Sequence, residues 1–315
     1  MEFRTLGANG GTALEVSVVG LGCNAFGRRI DFDATRAVLH AGLDAGITLF
    51  DTADTYGGGG VSEEYMGRVL GPKRHDIVLA SKFGLAVFGG PGGAAPAYIE
   101  SSIEGSLKRL GTDYIDLYQV HMPDAHTPIA DTLGTLDGLV RQGKIRAYGC
   151  SNFSGAQLEQ AHAAAAAGGL APFVTAQNPY SVMQRDIESD LVPVCAAHRT
   201  GILPYYPLAR GLLTGKYRRG EKPPEGARLA AGGGGRGAGG LTDANFDVVE
   251  KLAAFAAGHG RSVLELAISW LVANPCIASV IAGATKPAQI GQNVAAAGWR
   301  LDDRDMAEID RITAG

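Results

Sequence analysis

The sequence decides its fold at Ile47-Thr48-Leu49-Phe50-Asp51, a short apolar run that ends in a carboxylate. The same arrangement returns at Ile77–Lys82 and at Ile115–His121, where an apolar run again ends in one polar side chain. Short apolar runs of this kind predict buried strands of a parallel sheet. Because the carboxyl ends of parallel strands meet at one edge, we expect four side chains to converge there: Asp51, Tyr56, Lys82 and His121.

Eight strand patterns alternate with helix patterns along the chain. The strands are predicted at Val18–Gly22, Ile47–Asp51, Ile77–Lys82, Ile115–His121, Ile145–Ser151, Phe173–Gln177, Gly201–Tyr206 and Ser279–Gly283. The helices are predicted from the N-cap Asp33 to Gly46 and near Ser62–Leu70, Ala97–Leu110, Ile129–Gln142, Ser154–Ala166, Ile187–His198, Ser262–Ala273 and Pro287–Ala296. Such repeats favour an α/β fold of the (β/α)8 TIM-barrel type, with residues 1–315 as a single domain.

Three additions to the barrel are predicted. An N-terminal β-hairpin pairs Glu2–Leu6 with Ala13–Val16, and a C-terminal amphipathic helix covers about Asp303–Ile312. A long loop after the seventh strand, at residues 207–245, is rich in glycine and is therefore predicted to be mobile. A further helix is expected near Asn245–Ala257.

The four converging side chains predict acid–base chemistry. A free tyrosine has a pKa of about 10 and donates a proton reluctantly at neutral pH. A Lys82 ammonium beside Tyr56 lowers that pKa, and the Asp51 carboxylate keeps the lysine charged. The His121 imidazole aligns an incoming oxygen or passes a proton. The group therefore suits protonation of a carbonyl oxygen; the alternative is a structural Asp51–Lys82 ion pair with Tyr56 as an ordinary loop aromatic.

Composition argues against several classes of function. The chain has 315 residues, 46% of them hydrophobic and 19% charged, with a net charge of −4, so no general attraction for nucleic acid or an anionic membrane is expected. Its N-terminus lacks a basic segment followed by an apolar core, and no apolar run approaches the roughly 20 residues of a membrane span. Scattered cysteines favour reduced thiols, a cytoplasmic location and no metal site: Cys23, Cys150, Cys195 and Cys276.

Three motifs suggest other sites. Gly20-Leu21-Gly22-Cys23-Asn24-Ala25 matches the G-x-G-x-x-A of a Rossmann fold, but the next helix begins only at Asp33. No tyrosine has a lysine four positions later, which argues against a short-chain dehydrogenase. His126 follows His121 by five residues without the Cys or Glu partners of a closed zinc site, so a loop position is predicted.

The turn Ala282-Gly283-Ala284-Thr285-Lys286-Pro287 follows the last strand and opens a helix. The free amides of a helix N-terminus attract phosphate, and Thr285 and Lys286 add a hydroxyl and a charge. The alternative is an ordinary helix cap with Lys286 in solvent.

Four segments carry a family signature: Phe50–Gly57, Leu133–Gly138 leading into Gly143–Arg146, Gly149–Phe153, and Pro207–Tyr217. From about Gly20 to Asn293 the chain resembles the aldo-keto reductase superfamily. The resemblance implies an NADP-dependent oxidoreductase with Asp51, Tyr56, Lys82 and His121 as a catalytic tetrad. It implies reversible hydride transfer between a nicotinamide cofactor and an aldehyde or ketone, or an alcohol or aldose in reverse, with Tyr56 as the acid.

The resemblance also implies which residues bind the cofactor. The carboxamide is held by Ser151, Asn152 and Gln177, Tyr205 stacks on the ring, and Cys23, Asn24 and Asp51 lie nearby. The pyrophosphate contacts Leu208, Arg210, Gly211 and Lys216, and the adenosine end contacts Gly283, Thr285, Lys286, Gln289, Gln292 and Asn293. Lys286 favours NADP(H). NAD(H) stays open, because Gln289 and Gln292 replace an arginine and a glutamate of many relatives, and Tyr206 stands where serine is frequent.

A small carbonyl compound or alcohol is the expected partner, and a homo-oligomer is compatible with the sequence. The predicted substrate pocket comprises Phe26, Tyr56, Phe83, Phe88 and His121, with Met122, Tyr180 and Tyr217 as further candidates. Ordinary packing of the loops is an equally good explanation of the aromatic residues. The alternative function is a cofactor-binding, redox-sensing regulatory subunit resembling potassium-channel β-subunits, against which His121 argues because those relatives carry asparagine there.

Overall fold

The computed structural model of the chain describes residues 1–7, 10–86, 92–230 and 240–314. Two predictions fall outside these ranges: the position of Phe88 and the conformation of residues 231–239 within the glycine-rich loop. The mobility of that loop therefore stays a prediction.

Ten strands occur in the described ranges. The hairpin strands β1 (Phe3–Leu6) and β2 (Leu14–Ser17) pair antiparallel, as expected for the N-terminus. The other eight form one parallel sheet: β3 (Val19–Gly22), β4 (Leu49–Asp51), β5 (Val78–Phe83), β6 (Ile115–Val120), β7 (Ile145–Ser151), β8 (Thr175–Gln177), β9 (Gly201–Ile202) and β10 (Val280–Gly283). Neighbours follow chain order from β3 to β9, with β10 beside β3.

The sheet closes between its two edge strands. Ile202 of β9 makes a parallel bridge with Ile277, just before β10. The Ile202 amide donates to the Cys276 carbonyl at 2.8 Å, and the Ile281 amide donates to the Pro204 carbonyl at 3.1 Å. These bonds complete the ring, so the prediction of a (β/α)8 barrel is confirmed.

Helices connect the barrel strands and cover the sheet. In the described ranges the α-helical segments are α1 (Phe32–Asp44), α2 (Tyr56–Gly59), α3 (Val61–Leu70), α4 (Pro96–Leu110), α5 (Ile129–Arg141), α6 (Gly155–Gly168), α7 (Leu191–His198), α8 (Asp243–Gly258), α9 (Val263–Ala273), α10 (Pro287–Ala295) and α11 (Asp303–Thr313). Short 3₁₀ segments lie at Gly71–Asp76, Asp186–Glu188, Ala209–Thr214 and Ala296–Gly298. Within these described parts no helix is long and apolar enough to cross a lipid bilayer.

Several element boundaries differ from the sequence-based predictions, and three of these differences have a local cause. The N-cap of α1 is Asp31 rather than Asp33, because the Asp31 carboxylate accepts a hydrogen bond from the Ala34 amide. Strand β9 ends at Ile202 instead of Tyr206, since Pro204 has no amide for the ladder. Helix α7 begins at Leu191 instead of Ile187, which places Pro193 in its first turn, where the missing amide is tolerated.

The hairpin closes one end of the barrel. Leu6, Leu14 and Val16 pack in one buried cluster with residues of the barrel interior, among them Leu49 and Leu117. A second, larger core lies between the strands and the surrounding helices. Because apolar side chains fill the hairpin end, the opposite end remains for polar side chains.

Candidate active site

Strand alternation selects the residues that face the open end of the barrel. Leu49 lies in the interior cluster, and two positions further along β4 is Asp51. Lys82 likewise follows Ala80 in β5, and Gln119 follows Leu117 in β6. Side chains two positions apart on a strand share a face. Lys82 and Gln119 are also paired in the sheet register, so the polar layer sits directly above the apolar one.

A buried ion pair occupies the centre of this polar layer. Lys82 Nζ donates to Asp51 Oδ2 at 2.7 Å and to the Thr52 carbonyl at 2.8 Å, and the lysine side chain has no exposed surface. Asp51 Oδ1 accepts from Gln177 Nε2 at 2.9 Å. Burial of such a pair contributes little to stability, because desolvation offsets the attraction. Its value lies in fixing a charge beside Tyr56.

Tyr56 reaches the ion pair from the turn that follows β4. Its hydroxyl lies 3.4 Å from Lys82 Nζ, and its ring meets the His121 ring edge-on with 5.8 Å between centroids. Gly57, Gly58 and Gly60 have positive φ angles in this turn, a conformation that glycine adopts without strain. The four residues predicted to converge are therefore adjacent in the structure.

The ionisation of Tyr56 and Lys82 reflects both burial and charge. Burial raises the pKa of Tyr56, while the Lys82 charge acts in the opposite direction. The expectation that Lys82 lowers this pKa is correct for the local charge effect, but burial outweighs it. Burial lowers the pKa of Lys82, yet Asp51 and Tyr56 more than offset this and leave it above its ordinary value. The lysine is thus charged and the phenol protonated at neutral pH.

His121 is a neutral imidazole in this site. Burial, and then the Lys82 charge, lower its pKa to about 3. Its ring Nδ1 is buried without a hydrogen-bond partner in the described structure. Its backbone is fixed on both sides, since the amide donates to the Phe83 carbonyl at 2.7 Å and the carbonyl accepts from Asn152 Nδ2 at 2.9 Å. A rigid neutral imidazole can orient an oxygen by hydrogen bonding without adding charge.

The residues expected to hold a nicotinamide form one hydrogen-bonded network. Ser151 Oγ donates to the Gln177 carbonyl at 2.8 Å and accepts from Asn152 Nδ2 at 3.0 Å. The Tyr205 hydroxyl donates to Asn152 Oδ1 at 2.7 Å. Tyr205 lies beyond the end of β9 but is kept at the rim by a bridge to Pro179.

The residues predicted for the pyrophosphate lie in and around the turn Ala209–Thr214. Arg210 and Gly211 have positive φ angles there. A Cβ atom at Gly211 would lie 2.9 Å from Lys216 Nζ, so the glycine and the lysine side chain are in close contact. Leu208, at the start of the turn, is partly buried. The turn and the Lys216 side chain are thus close together, and their contact with a pyrophosphate stays a prediction.

The residues predicted for the adenosine end surround the start of α10. Gln289 Oε1 accepts from the Thr285 amide at 2.8 Å and from the Lys286 amide at 3.1 Å. A phosphate at this helix terminus would have to displace the Gln289 side chain to reach those amides. Asn293 is buried, whereas Gly283, Lys286 and Gln292 are exposed. Gln289 thus occupies the amides of this helix terminus while Lys286 is exposed, and the binding of an anion here stays a prediction.

Several of the aromatic residues predicted to line a substrate pocket are instead packed in the protein interior. Phe83 has no exposed surface and stacks on Tyr118 with ring centroids 4.8 Å apart. Phe26 is also fully buried, and Tyr180 packs edge-on against Trp270. The burial of these three aromatic side chains favours the alternative explanation, that they serve ordinary packing. Cys23 is equally buried, with its thiol directed at the Leu21 carbonyl, while Asn24 is partly exposed.

Two residues of the site escaped the sequence-based prediction. Gln119 Nε2 lies 3.4 Å from Asp51 Oδ1, and Gln119 Oε1 accepts from Thr175 Oγ1 at 3.1 Å. The sequence signal that could have identified this residue was a glutamine near the end of the largely apolar strand β6. Asp54 is buried in the segment of chain that leads from Asp51 to Tyr56, and burial together with the Glu63 charge raises its pKa to about 7. Nothing in the local sequence marks that proximity of two carboxyl groups.

A second ion pair lies near Asp54. Glu63 is buried and pairs with Arg109 Nε at 2.7 Å. In the described ranges, no group of three or more histidine, cysteine, aspartate or glutamate side chains is arranged to hold a metal ion.

Comparison with known proteins places this geometry in a family. A model of the aldo/keto reductase family matches residues 18–314. The chain belongs to the aldo/keto reductase family. It is 36% identical over 335 residues to Aldo-keto reductase YhdN of Bacillus subtilis (strain 168), covering 99% of this chain and 93% of the relative. An aldo/keto reductase acts as an oxidoreductase on carbonyl or alcohol groups, in agreement with the prediction for this chain.

Two further relatives show the range of proteins that share the fold. The chain is 34% identical over 305 residues to a probable voltage-gated potassium channel subunit beta of Oryza sativa subsp. japonica, covering 94% of this chain and 91% of the relative. It is 31% identical over 327 residues to L-glyceraldehyde 3-phosphate reductase of Escherichia coli O157:H7, covering 100% of this chain and 93% of the relative. Family membership alone therefore leaves the choice of substrate and role open.

Proposed function

We propose that this aldo/keto reductase reduces aldehydes or ketones with NADPH and uses Tyr56 as the proton donor. The contact of Tyr56 with the buried Lys82–Asp51 pair carries the proposal. The Lys82 ammonium lies 3.4 Å from the phenol oxygen and is itself 2.7 Å from the Asp51 carboxylate. A fixed positive charge beside a phenol stabilises the phenolate that forms when the proton leaves. A structural ion pair alone would not need a tyrosine hydroxyl at its end.

The described residues fit a nicotinamide dinucleotide. The amide and hydroxyl groups of Ser151, Asn152 and Gln177 lie in one network beside the tetrad, and Tyr205 joins that network through its hydroxyl. At the other end of the rim, Lys216 and Lys286 are exposed cations suited to phosphate groups. When bound, the dinucleotide supplies the hydride that the protein side chains cannot provide.

The protein side chains then have separate tasks. Tyr56 gives its proton to the carbonyl oxygen, and Lys82 stabilises the phenolate left behind. Asp51 keeps Lys82 charged and in place, while neutral His121 donates or accepts a hydrogen bond that directs the oxygen toward Tyr56. The same groups serve alcohol oxidation in reverse, with the Tyr56 phenolate as base.

Replacement of the phenol hydroxyl tests the proposal. The Tyr56→Phe variant should lose about 100-fold or more in kcat for a carbonyl substrate such as 4-nitrobenzaldehyde, since general acid catalysis contributes about that much. Its affinity for NADPH, measured by fluorescence titration beside NADH, should stay within about twofold of the unsubstituted protein. Wild-type turnover by Tyr56→Phe would show that another group donates the proton.

A regulatory cofactor-binding subunit is the second candidate function. The relatives whose names describe potassium channel subunits motivate it. In that case the protein should bind NADPH tightly but turn over a panel of aldehydes and ketones very slowly. Rapid multiple turnover with any simple aldehyde would exclude a purely regulatory role. Insensitivity of that turnover to a chelator would in turn exclude a catalytic metal.

A further inference from the structure

Asp124 joins two loops that lie beside the tetrad. It is in the loop after β6, three residues beyond His121, and its carboxylate accepts several hydrogen bonds. Oδ2 accepts from the Ala94 amide at 2.8 Å and from Thr127 Oγ1 at 2.7 Å. Oδ1 accepts from the His126 amide at 2.8 Å. The bond to His126 is an ordinary turn within one loop, whereas the bond to Ala94 crosses to the loop after β5.

The loop after β5 is anchored where Asp124 meets it. Its described parts are residues 84–86 and 92–95. Ala94 is buried, with its amide bonded to Asp124 and its carbonyl accepting from Thr132 Oγ1 at 3.0 Å. The Gly93 amide donates to the Gly84 carbonyl at 2.8 Å, which closes the base of this loop. A Cβ atom at Gly93 would lie 3.0 Å from Asp124 Oδ2, so the absence of a side chain lets the carboxylate approach.

The start of the loop after β5 is in contact with His121. The Phe83 carbonyl accepts from the His121 amide at 2.7 Å, and a Cβ atom at Gly84 would lie 3.8 Å from that amide nitrogen. The His121 carbonyl accepts from Asn152 Nδ2 at 2.9 Å. The short segment from His121 to Asp124 is therefore fixed at its first residue by β5 and by the residue after β7, and at its last residue by Ala94.

The Asp124 carboxylate keeps its charge at every pH used for an enzyme assay. The hydrogen bond from the Ala94 amide, followed by those from Thr127 and the His126 amide, lowers its pKa to about 2. A carboxylate that accepts several hydrogen bonds is stabilised in its charged form. The attachment between the two loops thus does not depend on pH in the neutral range.

We propose that Asp124 is a positioning residue for His121. By attaching the segment after His121 to Ala94, it limits the directions in which the imidazole can point. The imidazole in turn directs the carbonyl oxygen of the substrate toward Tyr56, so this role rests on the proposed function. A small displacement of a group that orients a substrate lowers the rate, because the reacting atoms spend less time in the productive geometry.

Removal of the carboxylate tests this role. Asp124→Ala should lower kcat/KM for 4-nitrobenzaldehyde about tenfold, while the NADPH affinity from fluorescence titration should stay within about twofold. Asp124→Asn keeps one acceptor oxygen and should recover part of the loss. The matched control, Asp302→Ala, removes a carboxylate that accepts two backbone amides at the start of α11 and should keep full activity.

A double-mutant cycle shows whether Asp124 acts through His121. In a His121→Ala background, Asp124→Ala should lower kcat/KM by no more than about twofold, because the group that it positions is absent. An equal loss in both backgrounds would refute the positioning role. Thr132→Val removes the other bond to Ala94 without touching the loop after β6, and it should stay within about twofold of the unsubstituted protein. A loss as large as that of Asp124→Ala would show that only the anchoring of the loop after β5 matters, and would equally overturn the role.

Amide hydrogen exchange tests the attachment without turnover. In Asp124→Ala, exchange should become faster at Ala94 and in residues 121–127, and should stay unchanged in α8. Unchanged exchange at Ala94 would refute the attachment and with it the positioning role. Faster exchange in a protein whose unsubstituted form reduces no carbonyl compound would confirm the attachment and refute the proposed function.

Discussion

Removal of the Lys82 charge separates a catalytic ion pair from a structural one. Opposite charges 2.7 Å apart attract by roughly 6 kcal/mol at an effective dielectric constant of about 20. Desolvation of both groups offsets most of this attraction. The Lys82→Met variant leaves the Asp51 carboxylate buried without its cation, so its free energy of unfolding should fall by roughly 3–5 kcal/mol. Equilibrium urea unfolding measures that loss.

The double variant Asp51→Asn/Lys82→Met removes both charges and should recover most of the stability, to within about 1–2 kcal/mol of the unsubstituted protein. Carbonyl reduction should stay at least about 100-fold slower in both variants, because Tyr56 has lost the cation beside its hydroxyl. As a control, Arg141→Met breaks an exposed ion pair with Asp137 and should change the unfolding free energy by no more than about 0.5 kcal/mol.

The decisive outcome is the activity of the stable double variant. Recovered stability together with recovered turnover would show that Asp51 and Lys82 serve only the fold. Full stability without turnover is the expected result, and it would assign the pair to catalysis. Lys82→Met with unchanged stability would instead show that the lysine is less buried in solution than in the structure.

Two further predictions concern pH. Burial raises the pKa of Asp54 from 3.8 to about 7, so the contribution of its protonated form to stability is greatest below pH 4 and is lost as the pH rises through 7. Between pH 4 and pH 8, the unfolding free energy of Asp54→Asn, measured by urea titration, should therefore rise by up to about 4 kcal/mol relative to that of the unsubstituted protein. A difference between the two proteins that does not change with pH would contradict the raised pKa. His121 has its pKa lowered to about 3, so its contribution is present above pH 6.5 and is lost as the pH falls toward 3. The kcat/KM profile should accordingly show no histidine ionisation between pH 5 and pH 8, and a fall in rate centred near pH 6.5 that disappears in His121→Gln would overturn the neutral assignment.

Sequence alone determined the barrel and the four residues at its centre. The apolar runs that end in polar side chains are local properties, because each can be recognised within a few residues of sequence. Their repetition along the chain predicts a parallel sheet. The same local rule placed Asp51 and Lys82 in the upper layer of the barrel. The early end of strand β9 before Pro204 also follows from local chemistry, because proline has no amide hydrogen to donate.

Tertiary structure decided the electrostatics of the site. The neutral state of His121, the pKa of Asp54 beside Glu63, and the bond from Gln177 to Asp51 all depend on side chains from distant strands. The contact between the loop after β3 and the long loop after β9, where Arg29 Nη2 donates to the Gly226 carbonyl at 2.9 Å, likewise joins segments that are far apart in the sequence. Burial and the approach of charges depend on which segments meet in space, and no local sequence pattern contains that information.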